Sequence, residues 1–590
     1  MQDGVEVTEM TAAERALYEG ENEHEDVQLD KESLGETTST GGRSKHQSMD
    51  FSGSVFLIAS NGHVLSLPIP SESPNDPLNW VKTRRILIFT ILLLQGSVAM
   101  FTIQTPGILY AAFMSNFTEK DMEPFTVNTL AASPTLALGL SFFFWMPLSV
   151  GYGRRGITLT ASALLASAIL GAGFARGFHD LLAALCLIGV AAGATISTTL
   201  LQLIDLTFIH ERPLTLAAYW ASVTFIPLLS LSQLPNIMNI NSEWRLVYRV
   251  TSIPAALLVL AIFLFVPETY FQRPPVAFDG RVLLQSGTEK IKIYDEWREI
   301  PGDSGTTITM QSVEDSLPPR LDDMPVHTWR VSPLSIFTRR VCDSRGAVAC
   351  LIQIFLCMVN PLVFWVTLLN AVNFGGMMSI GTGFPVVLSQ APYNLNAAEI
   401  GRINITAGCS SLVALPASYF MLNNLMKWLT VRNKGLRHAE FYLPAFILPI
   451  LTSAGSVWVY ALAASRDWDV RFYHLAYGLN AFSFASGSIV NTIWVTESLP
   501  QWAAPGLAVV GGVSYVASWG ITATLPMWEE SWGVEAVNLG IGVLIMLVGG
   551  LVIPLAFWGR NVRQLISGRW GQYEAGALRP QTRAKDTGKK

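Results

Sequence analysis

The chain has 590 residues, of which 50% are hydrophobic and only 14% are charged. Soluble globular proteins typically carry about 25% charged residues, so this composition excludes an ordinary soluble domain and predicts a helical protein that crosses a lipid bilayer many times. The formal net charge of -5 comes with no basic face of the kind that binds nucleic acid. We therefore expect the lipid bilayer, and no nucleic acid, among its partners.

The N-terminal region is rich in Glu, Asp, Ser, Thr and Gly. Such a composition cannot bury enough apolar surface to fold, and we predict a disordered cytosolic tail over residues 1–75. The polar, acidic start also argues against a cleavable signal peptide. The five cysteines show neither metal-ligand spacing nor a disulfide framework, so we expect no metal and no cofactor.

Twelve apolar segments follow the tail, each near the length of about 20 residues that a transmembrane helix needs. A polar stretch at 267–345, predicted to be a cytosolic central loop, divides them into two sets of six. We therefore predict an all-α membrane protein of twelve transmembrane helices, with six-helix bundles at 76–266 and 346–560 and a cytosolic tail at 561–590. The predicted spans are 86–107, 126–147, 157–175, 181–204, 213–235, 247–266, 358–386, 400–421, 442–463, 472–496, 504–527 and 537–558.

The two halves show a faint internal repeat. Met146-Pro-Leu-Ser149 closes the second span and Leu415-Pro-Ala-Ser418 closes the eighth, each before a basic loop. Because the same kind of motif ends the second span of each half, we predict that the two bundles are pseudo-repeats. The run from Ala347 to Leu388 would be about 60 Å long as one helix, too long for a straight crossing. Either its first ten residues lie at the membrane interface, which we favour because an even number of spans keeps both termini inside, or a thirteenth hydrophobic segment exists.

Lysine and arginine are enriched in the loops predicted to face the cytosol, which predicts cytosolic termini. One of these loops contains Pro147, three glycines, Arg154 and Arg155, and we predict a tight turn over 147–156 that forms part of a gate, together with a turn over 416–437. The sequon at Asn116 lies in a loop predicted outside, so we expect its glycosylation. The plasma membrane is the expected location and the vacuolar membrane the alternative.

Five short segments resemble the major facilitator superfamily of transporters. They are Asn75–Trp80, Pro147–Arg155, Asp205–Arg212, Pro267–Tyr270 and Arg432–Pro444. The chain is most similar to the fungal branch of drug:proton antiporters and polyamine-type carriers, over about 75–560. The resemblance implies a monomeric secondary active or facilitative carrier of a small organic molecule, not an enzyme. It also implies alternating access by a rocker-switch motion of the two bundles, with protons as the candidate coupling ion.

Two departures from the family pattern bear on this function. Val150 and Gly151 stand where the family usually has an acidic and then a basic residue, and that acid normally helps to lock the inner gate. In the fifth span only Pro227 remains of the glycine-proline motif of antiporters. These losses weaken the case for proton-driven export. The alternative function is therefore a non-transporting receptor or degenerate carrier that binds a ligand without moving it.

Polar residues occur on all four spans that the family places around its central cavity, the first, fourth, seventh and tenth. Side chains three or four residues apart share one helical face, and Gly487 leaves a gap for a ligand on the face of the tenth span. The alternative for each side chain is a hydrogen bond to a neighbouring helix. Two tryptophans are candidates for stacking on substrate, with simple packing as the alternative. The cavity candidates are Gln95, Thr195, Thr198, Gln202, Trp220, Asn370, Asn373, Asn480, Ser483, Asn491 and Trp519.

Ionisable groups inside a membrane mark functional sites, and this chain places two carboxylates, Asp205 and Glu497, at the inner ends of the fourth and tenth spans. We predict that they close an inner gate by pairing with arginines, and proton carriage is the alternative. No charge lies near the middle of any predicted span, which favours a neutral or amphipathic substrate over a polyamine. The gating candidates are Arg154, Arg155, Asp205, Glu211, Arg212, Arg432 and Glu497.

Overall fold

A computed structural model provides the coordinates. The tails predicted at 1–75 and 561–590 and the loop predicted at 267–345 lie largely or wholly outside the described residues, so those predictions remain untested. The structure describes residues 54–56, 76–208, 210–237, 240–271, 276–278, 281–285, 291–294, 344–432, 436–499 and 502–559.

Long helices account for all twelve predicted spans. In the described ranges, eleven helices are long and apolar enough to cross a membrane. The remaining one, span 10, has 29 residues but is more polar, because Asn480, Ser483 and Asn491 lie within it. Spans 1 to 6 are Lys82–Ile108, Val127–Tyr152, Arg154–Gly173, Phe178–Leu206, Arg212–Ile237 and Ile240–Phe265. Spans 7 to 12 are Pro361–Ser389, Ala397–Arg432, Ile447–Ser465, Val470–Ser498, Ala503–Trp532 and Val534–Gly550.

The long apolar run before span 7 is broken at Asn360. Its side-chain Oδ1 accepts a hydrogen bond of 3.0 Å from Leu362 N, and Pro361 occupies the first helical position. This N-cap with a following proline starts a new helix. The preceding helix, Ser344–Val359, has 16 residues, too few for a span, and it packs against spans 2 and 11.

The turns predicted at 147–156 and 416–437 were wrong in extent. Span 2 continues as helix through Pro147 to Tyr152, and Gly153 alone links it to span 3. Gly153 has a φ of +89°, a conformation that strains any residue with a Cβ. Span 8 likewise continues through Pro416 to Arg432. A proline bends a helix without ending it when neighbouring helices satisfy the freed backbone groups.

Shorter elements lie between the spans. The helices Tyr110–Asn116 and Glu119–Met122 follow span 1, and 3-10 helices occupy Pro77–Asn79 and Ala439–Phe446. The described ranges also contain five short strands, which were not predicted. Ser54–Phe56 pairs antiparallel with Leu436–His438, although it lies in the segment predicted to be disordered. The other three form one antiparallel sheet, Val276–Phe278, Arg281–Gln285 and Ile291–Tyr294.

Spans 1 to 6 form a first bundle and spans 7 to 12 a second, and the two meet along two seams. Span 2 packs on span 11, and span 5 packs on span 8. At the first seam the backbones touch, because a Cβ atom on Gly139 would lie 2.7 Å from the carbonyl oxygen of Gly512. Buried apolar side chains of both bundles form one continuous core. The end of the molecule that holds Arg154 and Arg212 is called the arginine end below.

Candidate functional site

Arg154 begins span 3 and is buried at the arginine end. Its guanidinium pairs with Asp205 at the end of span 4 and donates a hydrogen bond of 2.8 Å to the carbonyl oxygen of Leu201. The pair therefore joins spans 3 and 4 within the first bundle. A buried arginine requires such partners, because an unpaired charge taken out of water is strongly destabilising.

Glu268, which the sequence did not single out as a gate residue, caps span 3. Its carboxylate accepts hydrogen bonds from the backbone nitrogens of Arg154 at 3.0 Å and of Arg155 at 3.1 Å. A carboxylate at this position satisfies free N–H groups and complements the positive end of the helix dipole. Arg155 in turn donates to Phe263 O at 3.1 Å. The two adjacent arginines thus fix spans 3, 4 and 6 to one another.

Among the described residues, Arg212 and Glu497 make a charged contact between the bundles. Arg212 begins span 5, Glu497 ends span 10, and the Nη1 and Oε1 atoms are 4.0 Å apart. Arg212 is 2% exposed, so its guanidinium is almost completely shielded from water. The neighbouring Glu211 stays within the first bundle and accepts a hydrogen bond of 3.2 Å from Arg85 Nη1.

Arg432 pairs with neither Asp205 nor Glu497 among the described contacts. It lies at the end of span 8, where its guanidinium stacks on Trp428 with 5.4 Å to the ring centroid, and its side chain is exposed. Val150, at the departure from the family pattern, is 7% exposed and belongs to the apolar core. Asp205 is thus paired within its own bundle, and Glu497 makes the charged link across to the other.

Other contacts close the arginine end between the bundles. The indole Nε1 of Trp220 donates a hydrogen bond of 3.2 Å to Thr492 Oγ1 of span 10. Ser411 of span 8 donates to Ala221 O at 3.3 Å. Every residue at 191–203 in span 4 and at 485–496 in span 10 is buried. The halves of these two spans nearest the arginine end are therefore sealed from solvent.

A small cavity of about 10 Å³ lies among spans 7, 9 and 10. It has room for about one water molecule, so the structure shows the site in a collapsed form. Four of the cavity candidates predicted from the sequence line it, and so does Gly487. None of its lining residues is charged. The lining residues are Asn370, Asn373, Phe374, Met377, Ser453, Asn480, Ser483, Phe484, Gly487 and Ser488.

The polar lining is only partly satisfied by the protein. Asn491 Nδ2 donates to Asn370 Oδ1 at 3.0 Å, and Ser483 donates to Pro449 O at 2.8 Å. The Oδ1 atoms of Asn373 and Asn480 are buried without a hydrogen-bond partner among the described residues. Because buried polar atoms are normally hydrogen-bonded, these two oxygens are open positions for a ligand or for water.

A row of aromatic rings runs past this cavity and crosses both bundles. Phe142 of span 2 lies 6.1 Å from Tyr515, and Tyr515 lies 4.9 Å from Phe374. Phe374 is 5.4 Å from Phe484, which is 6.1 Å from Trp220 of span 5. Of these rings, Trp220 is a cavity candidate from the sequence, whereas the three phenylalanines are not. No signal in the sequence separates them from ordinary packing residues, because their alignment arises only when five helices meet.

The other cavity candidates have different environments. Thr195 and Thr198 donate to carbonyl oxygens one turn back in span 4, and Thr198 also lies 3.5 Å from Thr158 of span 3. Gln95 and Gln202 are buried, and both amide atoms of Gln202 are without a partner in the described part of the chain. These four candidates and the partly buried Trp519 are not among the residues that line the cavity.

The sequence matches a family model over residues 86–518, more than half of the chain, and the description of that model is Major Facilitator Superfamily. The chain belongs to the Major Facilitator Superfamily. The twelve-span, all-α fold predicted for such a member is confirmed. Members of this superfamily are integral membrane proteins, and the protein is a multi-pass membrane transporter of small molecules.

Fungal proteins are among the superfamily members that this chain resembles. Protein HOL1 of Saccharomyces cerevisiae is 20% identical over 551 residues, which cover 87% of this chain and 92% of that protein. The uncharacterized MFS-type transporter C1271.10c of Schizosaccharomyces pombe is 19% identical over 535 residues, covering 86% and 89%. These matches support a transporter of fungal type and give no support to the receptor alternative.

Solved superfamily structures share the fold. The human organic anion transporter MFSD10 (TETRAN) aligns with a TM-score of 0.51 and 13% identity, covering 80% of this chain and 100% of that one. The proton:xylose symporter XylE aligns with a TM-score of 0.51 and 13% identity, covering 81% and 96%. At such low identity these likenesses concern the fold and carry no information about the substrate.

Proposed function

We propose that the protein moves a neutral or amphipathic small organic molecule by alternating access, through a central site between the two bundles. The observation that carries this proposal is the row of rings from Phe142 to Trp220, which crosses both bundles beside a cavity lined by uncharged residues. Rings supply flat apolar surfaces, and the free Oδ1 atoms of Asn373 and Asn480 accept hydrogen bonds from the substrate. The protein acts as a carrier and not as an enzyme.

The gate at the arginine end is the second part of the proposal. Arg212 and Glu497, together with Trp220 and Thr492, hold the bundles together there and separate when the site opens to that side. Arg154, Arg155 and Glu211 act as a rigid frame within the first bundle. The remaining candidates are proposed to act only in a state other than the one described; they are Arg432, Gln95, Thr195, Thr198, Gln202 and Trp519.

The setting of the protein is proposed from the sequence. The arginine end faces the cytosol with both termini, the plasma membrane is the location and the vacuolar membrane the alternative, and the bundles occupy 76–266 and 346–560. Asn116 is exposed on the opposite side, which suits glycosylation. The protein works as a monomer, and protons are the candidate coupling ion.

Reconstitution tests transport directly. The full chain is placed in liposomes, a pH gradient is imposed in either direction, and uptake of neutral and cationic compounds is screened. We expect a neutral or amphipathic compound to accumulate. A protonophore then separates the two modes, since it abolishes accumulation by a proton-coupled carrier and leaves facilitated equilibration unchanged. Absence of flux with retained ligand binding would overturn the proposal.

A further inference from the structure

Glu529 of span 11 differs from the two carboxylates at the arginine end. In the described part of the chain, Asp205 and Glu497 each face an arginine, whereas Glu529 is partly buried and its carboxylate accepts a hydrogen bond from an amide, Asn538 Nδ2, at 3.4 Å. It lies at the end of the molecule opposite the arginine end. An ionisable residue in a membrane protein with only neutral partners is a default functional candidate.

Asn538 connects Glu529 to span 7. Its Oδ1 atom accepts a hydrogen bond of 2.5 Å from Ser379 Oγ, and both Asn538 and Ser379 are fully buried. Asn538 Nδ2 also donates to Val534 O at 3.0 Å, a bond within span 12 that favours this orientation of the amide. A buried chain of polar groups thus runs from span 11 through span 12 to span 7.

The groups around Glu529 are neutral or already paired. Tyr460 of span 9 lies within electrostatic reach of it, and the ring of Tyr473 of span 10 packs on Tyr460 with 6.2 Å between centroids. Span 7 contributes the hydroxyl of Ser379. Of the charged residues nearby in sequence, Glu530 is exposed, and Glu535 pairs with Arg466 at 3.1 Å. The charge of Glu529 is therefore not neutralised by a described cation.

We propose that Glu529 is a proton-binding site whose protonation state is transmitted through Asn538 and Ser379 to span 7. The ionised carboxylate only accepts, so Asn538 donates to it and turns Oδ1 towards Ser379. The protonated carboxyl group carries an O–H that donates to Oδ1 instead. The amide then turns its NH₂ towards Ser379 and gives up its hydrogen bond to Val534 O, and the hydrogen of Ser379 turns to a carbonyl oxygen one turn back in span 7. One proton is taken up, and the direction of every hydrogen bond from Glu529 through Asn538 to Ser379 reverses.

Span 7 carries this change to the substrate site. Asn373, Phe374 and Met377 of span 7 line the cavity, and Ser379 follows Met377 by two residues in the same helix. This inference rests on the proposed alternating-access function, because the proton acts by changing how the half of span 7 opposite the arginine end packs. The proton is thus assigned to Glu529 and not to Asp205 or Glu497, because each of those two carboxylates already pairs with an arginine.

Two measurements on the full chain in liposomes test the proposal. Infrared difference spectra between about pH 6 and about pH 8, above the pKa of ordinary exposed carboxyl groups, detect a carboxyl group that stays protonated in this range. We expect one such band to titrate in the wild type, to be absent in Glu529→Gln and to persist in Glu530→Gln, the matched control on the same helix. A titrating band that Glu529→Gln leaves in place would overturn the assignment.

Pulsed EPR follows the transmission to span 7. Nitroxides replace Thr382 of span 7 and Gly177 of the first bundle, at the same end of the molecule, in a variant without native cysteines. We expect acidification to shift the populations of the distance distribution by about fivefold or more in the wild type and in Glu530→Gln. Glu529→Gln and Ser379→Ala should show the same distance distribution at every pH. A pH-dependent shift in either variant would refute the proposed link from Glu529 to span 7.

These measurements need no transported compound. If the spectra behave as expected and no compound crosses the membrane, the transport proposal fails and the proton site stands. If transport is observed and the infrared band is unchanged in Glu529→Gln, the proton site fails and the transport proposal stands.

Discussion

The guanidinium of Arg212 lies 4.0 Å from the carboxylate of Glu497 and joins the two bundles at the arginine end, whereas Arg154 and Asp205 pair within the first bundle. Two ion pairs that look alike in the sequence therefore have different roles. Separation of the bundles breaks the first pair and leaves the second intact.

Removing the charge of Glu497 should open the arginine end. We expect Glu497→Gln to shift the equilibrium between closed and open forms by about tenfold towards the open form, because Arg212 loses its partner across the seam. The measurement is the labelling rate of a single cysteine replacing the buried Ser498. Glu530→Gln, at an exposed position on span 11, is the control. Unchanged labelling in Glu497→Gln would contradict the gate, and exchange of the two charges should restore slow labelling.

Breaking the pair within the first bundle should affect stability more than gating. Arg154→Ala leaves the carboxylate of Asp205 without its partner in a largely buried position, a change that costs about 3–5 kcal/mol in the free energy of unfolding. Thermal unfolding in detergent measures this loss. Asp205→Asn in the same chain should recover part of it, and Arg402→Ala, on the exposed face of span 8, should unfold as the wild type does. A fully stable Arg154→Ala variant would show that the pair is dispensable.

The close approach of spans 2 and 11 gives a steric prediction. In Gly139→Ala the new methyl group would lie 2.7 Å from Gly512 O and 2.9 Å from Val516 N. Backbone atoms cannot move aside as side chains do, so the seam must widen and transport should fall about tenfold or more. Gly171→Ala is the matched control, because nothing lies within 4 Å of its added atom. Equal flux in the two variants would rule out a tight seam.

The cavity amide makes a prediction about binding. Asn373→Leu keeps the size of the side chain and removes the free acceptor. For a substrate identified by the flux screen, we expect its half-saturating concentration to rise about tenfold, the equivalent of roughly 1.4 kcal/mol for one hydrogen bond. Asn236→Leu, at an exposed position of span 5, should leave that concentration unchanged. An unaltered concentration in Asn373→Leu would remove Asn373 from the site.

The sequence by itself determined the membrane-spanning architecture. A run of about 20 apolar residues has few alternatives to a transmembrane helix, because a bilayer offers the backbone no other hydrogen-bond partners. The prolines, glycines and arginines of 147–156 also predicted a turn, and in the structure Gly153 alone links the two helices. Helical spacing, which fixes which residues of a helix share a face, also singled out Asn370, Asn373, Asn480 and Ser483, and these residues line the cavity in the structure.

Only the tertiary structure decided which faces meet. Four arginines and three acids stood at the predicted gate, and nothing local paired Arg154 with Asp205 or Arg212 with Glu497. Thr198 shares the polar face of span 4, yet it lies beside Thr158 because the rotation of that helix is set by packing against span 3. The aromatic row and the link from Glu529 to span 7 likewise bring together residues far apart in the chain. Sequence spacing reports direction within one helix, whereas the position of each helix relative to the others depends on the fit of all their side chains at once.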